Sequence, residues 1–211
     1  MVDSCAAEFA AKTPYYYSTY EPYQEVGIDH IPHMEQRTKQ RMVTIGSGPI
    51  RIGQGIEFDY GCVHAVMAIR AAGMDAILIN NNPETVSTDF DTSDRLYFDP
   101  LTNECVSEIL LREKAHGILL QFGGQTAINL AIPLEKRLPH LSSKGTDVSI
   151  LGTTVDGIDE ASDRERFEAF AKKHGLRMPN GATGTSSEDI RKAVDQIGFP
   201  VLIRPSYVLC L

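Results

Sequence analysis

Short apolar runs recur at intervals along the middle of the chain, at residues 42–45, 76–79, 96–98, 117–121 and 148–151. They are almost wholly apolar rather than alternating, which predicts strands buried on both faces. The intervals between them carry helical patterns at about 59–72, closed by Gly73, at 102–113 with Thr102 as a cap, and at about 126–137. Strands that alternate with helices in this way predict an α/β fold: a doubly wound, Rossmann-like parallel sheet covered on both faces. Such a sheet binds ligands at the carboxyl ends of its strands. Polar and glycine-rich clusters fall at those ends, at residues 46–55, 80–82 and 123–124.

The pattern differs on either side of this core. Residues 1–40 hold Tyr15, Tyr16, Tyr17, Tyr20 and Tyr23 together with Pro14, Pro22 and Pro32, and no period survives there. They read as an irregular connector whose tyrosines pack against something outside this chain. Beyond about Val155 come two charged helical stretches, 162–174 and 186–197, the second capped by Ser186, and then an expected strand at 200–204. The division expected is a linker at 1–40, a Rossmann-like domain at 41–155 and the opening of a second, incomplete domain at 156–211.

The glycine loop invites two nucleotide readings, and neither fits. A dinucleotide fingerprint needs glycine where Arg51 stands, and an acidic residue after the second strand where Asn80, Asn81 and Asn82 stand. A P-loop needs lysine at Gln54 and a hydroxyl at Gly55. A tight turn needing positive φ is the plain alternative. Arg51, Gln54 and Glu57 crowd the loop with polar groups and favour a loop that lines a ligand path. Glu57 and Asp59 suit the positive end of a helix dipole. The 121–125 stretch (QFGGQ) also reads as a close backbone approach between strand and helix. Arg164 sits among charged neighbours on an exposed-looking helix. Arg204 follows an apolar run and needs an anion, for which phosphate suits its fork of donors.

Composition narrows the classes. Hydrophobic residues make up 42% of 211 and charged residues 23%, and the formal net charge is −8. An acidic chain without basic clusters argues against nucleic acid as a partner. No apolar stretch approaches the roughly 20 residues of a spanning helix, so no membrane is expected. The start lacks a basic, then apolar, leader. Cys5, Cys62, Cys105 and Cys210 form no CxxC pair. Free thiols and a cytoplasmic location are the expectation, and no histidine spacing suggests a metal site.

The longer motifs resemble one family. RIGQGIEFDYGCVHA (51–65), NNNPETVSTDFDTSDRLYF (80–98), QFGGQT (121–126), ASDRERF (161–167) and IRPSYVL (203–209) look like the large chain of carbamoyl-phosphate synthase. The opening resembles the segment that joins the two halves of that chain, after its oligomerisation region. GIEFDY and RPSY resemble the second, carbamate-phosphorylating half.

The resemblance implies a pre-ATP-grasp domain followed by the start of an ATP-grasp domain. It implies that Arg164 and Arg204 contact ATP phosphates, and that Gly55, Glu57 and Glu84 border the path delivering carbamate. It implies ATP and Mg²⁺ or Mn²⁺ as cofactors, with the metal ligands beyond Leu211. The implied partners are a glutamine amidotransferase small subunit, the first half of the large chain and further copies of the full enzyme. The implied product is carbamoyl phosphate for arginine and pyrimidine biosynthesis, with the fragment alone inactive. A truncated, non-catalytic interaction module and a nucleotide-dependent oxidoreductase are the two rival readings.

Overall fold

The computed structural model describes residues 15–18, 38–49, 56–89 and 91–203. The chain divides into two compact units, 1–159 and 160–211.

The first unit is built on six parallel strands: β1 (Tyr15–Tyr16), β2 (Arg41–Ile45), β3 (Asp75–Ile79), β4 (Arg95–Tyr97), β5 (Gly117–Leu119) and β6 (Ser149–Ile150). Their order across the sheet is β1-β4-β3-β2-β5-β6. Central β2 places Val43 opposite Ile77 on one side and Ile118 on the other. Val43, Ile45, Ile77, Ile79 and Ile118 are fully buried. Each such side chain stabilises the fold by about 1.5–3 kcal/mol relative to exposure, which is why these runs are apolar on both faces.

Helix α1 (Ile56–Ala71) crosses from β2 to β3, and α2 (Asn103–Glu113) from β4 to β5. Thr102 caps α2, its hydroxyl accepting from Cys105 N at 3.2 Å. The stretch expected as one helix at 126–137 is two: α3 (Gly124–Ile128) and α4 (Ala131–Ser143). Pro133 explains the restart, because proline has no N–H and is tolerated in a first turn. Past the expected end at about residue 137, helix α4 runs on through Pro139. Leu134 and Leu141 on either side of it are fully buried, and that packing offsets a proline penalty of about 3 kcal/mol. Helix α5 (Val155–Ser162), absent from the sequence reading, buries Val155 and Ile158.

The connector reading fails at Tyr15 and Tyr16. They form an edge strand against β4, and the Tyr16 ring stacks on Tyr97 with centroids 5.0 Å apart. Their partner is this chain's own sheet, and the two-residue length hid the strand. Behind Tyr97 lies a buried polar group. The Tyr97 hydroxyl donates to Glu113 Oε1 at 2.5 Å, and Arg95 lies 3.2 Å from both Glu113 and Asp75.

The second unit holds α6 (Arg164–Lys173), capped by Asp163, and α7 (Ser187–Ile197), capped by Ser186. Ala171 is its one buried residue among those described, and α7 buries none. No strand forms at 200–203, where Leu202 is 96% exposed. A strand needs a ladder partner, and the described residues of this unit provide none.

Candidate functional site

The carboxyl ends of β2 and β5 flank the point where strand order reverses, the expected ligand position in such sheets. There Gly123 approaches the end of β2 closely. A Cβ on Gly123 would lie 2.5 Å from the Ile45 carbonyl oxygen and would also strike that of Gly46. Gly46 N donates to Ile79 O at 2.8 Å and Gly48 N to Asn80 Oδ1 at 3.0 Å. These amides are spent inside the fold, and the Ile45 and Gly46 carbonyls are what Gly123 meets. A phosphate needs open N–H donors, so this start of the loop does not cradle one. The close-approach reading of residues 121–125 is what the structure shows. Asn80, where a dinucleotide domain would carry its ribose acid, is 1% exposed and committed to Gly48 and to Ser87 Oγ.

Glu57 and Glu84 lie on neighbouring elements and both are exposed. Glu57 is in the first turn of α1. Glu84 is in the loop after β3, where its N–H donates to Asn82 Oδ1 at 2.9 Å. Asp59 joins the two elements. Its carboxylate oxygens each accept, at 3.0 Å, from Val86 N and Ser87 N, which open a short 3-10 turn (Val86–Thr88). Sequence reasoning gave Asp59 only the helix dipole and gave Asn80 no partner. The available signal was a buried-strand end followed by three asparagines, which points to satisfied backbone but not to which amides. Gly55, like Arg51 and Gln54, lies outside the described residues.

Cys62 sits one turn beyond Asp59, 1% exposed, its thiol 3.6 Å from the Ile45 carbonyl oxygen. Burial, and secondarily the Asp59 charge, pushes this thiol up to about 12. It is a packing residue, inert as a nucleophile at neutral pH.

Arg164 is the exposed first residue of α6, in the second unit. Its planar donor fork suits a phosphate, but Arg166 N, a donor at that helix end, is taken by Asp163 at 2.9 Å. Arg204 lies outside the described residues. Among the described residues no group of three or more His, Cys, Asp or Glu could hold a metal ion, and no helix is long and apolar enough to cross a membrane. Of the two arginines expected to contact phosphate, the described residues include Arg164 alone.

Comparison with known proteins bears on the whole chain. Residues 38–160 match the family model of the carbamoyl phosphate synthase preATP-grasp domain, and residues 163–210 that of the carbamoyl-phosphate synthase L chain ATP binding domain. The carbamoyl phosphate synthase large chain of Methanothrix thermoacetophila is 53% identical over 99% of this chain, and that of Myxococcus xanthus 52% over 99%. The chain spans about 18% of the length of each. Among solved structures, N5-carboxyaminoimidazole ribonucleotide synthetase from Thermus thermophilus aligns with a TM-score of 0.53 at 16% identity, over 75% of this chain and 37% of that one. The biotin carboxylase domain of a single-chain bacterial carboxylase aligns at 0.52 and 13%, over 74% and 34%. These likenesses establish the shared fold.

Proposed function

The chain belongs to the carbamoyl-phosphate synthase large-chain family, and we propose that it is a piece of the half that phosphorylates carbamate with ATP. The observation that carries this reading is the match to both family models in order, over 38–160 and 163–210, the second of which takes in DRERF and IRPSY. In the complete enzyme, Arg164 and Arg204 would present guanidinium forks to the nucleotide's phosphates, where fixed positive charge favours phosphoryl transfer. ATP with Mg²⁺ or Mn²⁺ would supply the phosphoryl group, and the metal would be held by residues other than those described. Gly55, Glu57 and Glu84 would border the way in for carbamate.

The family's amidotransferase subunit, the first half of the large chain and further copies of the enzyme are the partners this reading carries, with the cytoplasm as its place. Carbamoyl phosphate for arginine and pyrimidine synthesis is its product.

The test uses a complete large chain carrying this segment. Arg164→Ala and Arg204→Ala are each expected to lower carbamate-dependent ADP formation by about 10²-fold, while bicarbonate-dependent ADP formation persists. Unchanged carbamate-dependent turnover in both variants overturns the assignment.

A further inference from the structure

We infer that Asp59 is a positioning residue for the carbamate path, holding the Glu84 loop in register with Glu57. The inference rests on the proposed function, which makes those two glutamates path residues. Its own observations are geometric. Asp59 lies two residues after Glu57 on the first turn of α1. It is 27 and 28 residues from the two amides it accepts from, Val86 N and Ser87 N, each at 3.0 Å. Those amides belong to the turn that follows Glu84. A carboxylate with an acceptor on each oxygen matches a pair of successive N–H groups, and charge-assisted bonds of this kind are about twice as strong as neutral ones.

The same turn is held from below. Ser87 Oγ accepts from Asn80 Nδ2 at 3.2 Å, and Asn80 Oδ1 accepts from Gly48 N at 3.0 Å. Ser87 is 1% exposed. Thr88 Oγ1 donates to Asn82 O at 2.8 Å and closes the loop on itself. The loop bearing Glu84 is therefore fixed to the sheet through Asn80 and to α1 through Asp59. The second attachment ties it to the first turn of α1, which carries Glu57. Arg70, near the other end of α1, holds the later part of the same segment by donating to Asp91 O and Thr92 O at 2.9 Å. Cutting the Asp59 attachment leaves the Asn80 and Arg70 contacts intact and loosens the turn against the Glu57 end of α1.

Two variants of a complete large chain test this. Asp59→Asn keeps the size but replaces one acceptor with an NH₂ that faces a donor. Val86→Pro removes one donor from the loop's side. It suits the site, because a first helical position accepts proline and Thr85 before it is extended, at φ −130 and ψ 149. In both, amide exchange over residues 82–89 is expected to quicken about tenfold or more, with exchange in β2 and β3 unchanged. Carbamoyl phosphate formed per ATP cleaved is expected to fall by at least about twofold, because carbamate escapes the loosened path. A general loss of folding would lower both reactions together and leave that ratio alone. Unchanged exchange in the loop overturns the anchoring. Faster exchange with an unchanged ratio overturns the positioning role. If the arginine variants still lose carbamate phosphorylation, the proposed function stands without it.

Discussion

At the residue scale, two positions in the first unit are fixed by neighbours that cannot move. Gly123 is one. Backbone oxygens of Ile45 and Gly46 occupy the space a side chain would need, and β2, which carries Ile45, is paired on both sides. Gly123→Ala is expected to destabilise the unit by about 3 kcal/mol, read as a lower urea midpoint at unchanged m-value. Gly73 makes the control, since nothing stands within 4 Å of a Cβ built there, although its φ of +77 adds backbone strain. Its alanine variant should lose about 1 kcal/mol from that strain alone.

Cys62 is the other position. The folded chain keeps the Cys62 proton in the window from about 9 to about 12, where an unfolded chain has released it. A raised folded-state value means the contribution is whole at neutral pH and is lost as pH rises through that window. At about pH 8 an alkylating reagent should label Cys105, which is partly exposed, well before Cys62. Equal labelling rates in the native protein would contradict this burial.

At the scale of elements, legibility followed burial. β2 and β3 were readable because both their faces are covered and their runs are wholly apolar. Thr102 and Ser186 were readable as caps because a hydroxyl before a helical period has few other uses. β1 left no trace, since two tyrosines at a sheet edge carry no period. The run of α4 past residue 137 and through Pro139 was not legible, because a proline's cost is set locally while its compensation, buried Leu134 and Leu141, is tertiary. The site was less legible than the fold. Glu84 came only from family resemblance, Glu57 from that and from the polar crowding of its loop, and the Asp59 link between them spans elements that no local pattern connects.

Helix α7 supplies a prediction at this scale. Ser186 and Asp189 form a capping box, with Ser186 Oγ accepting from Asp189 N at 3.2 Å and Asp189 Oδ2 accepting from Ser186 N at 3.1 Å. Hydrogen bonds from Ser186, side chain first and then backbone, hold the Asp189 carboxyl below its ordinary value. A depressed carboxylate contributes above its unfolded value, and that contribution is lost as pH falls through the folded one. Ser186→Ala should move the Asp189 titration upward in an NMR pH series and fray α7. An unmoved titration would mean the box is not formed in solution.

For the whole molecule, the contrast between the two units matters most. Among the described residues, the first buries 26 of 27 core hydrophobics and the second only Ala171. Residues 172–188 are exposed throughout, and 176–184 lie in neither helix nor strand. Proteases cut where backbone is exposed and unpaired. Trypsin at low ratio should therefore cleave first at Arg177 or at Lys172 and Lys173, leaving a resistant fragment of the first unit on a gel. Early cleavage within 56–150 would contradict this difference in protection.

The strand order has a consequence for how the chain is made. Only one of β2's two neighbours, β3, is supplied by the next crossover, and the other is β5. While the polypeptide grows from its amino end, β2 has a single flank to lean on until Leu119 has left the ribosome. The centre of the finished sheet is thus the part that must wait, with one ladder edge of β2 unpaired in the interval.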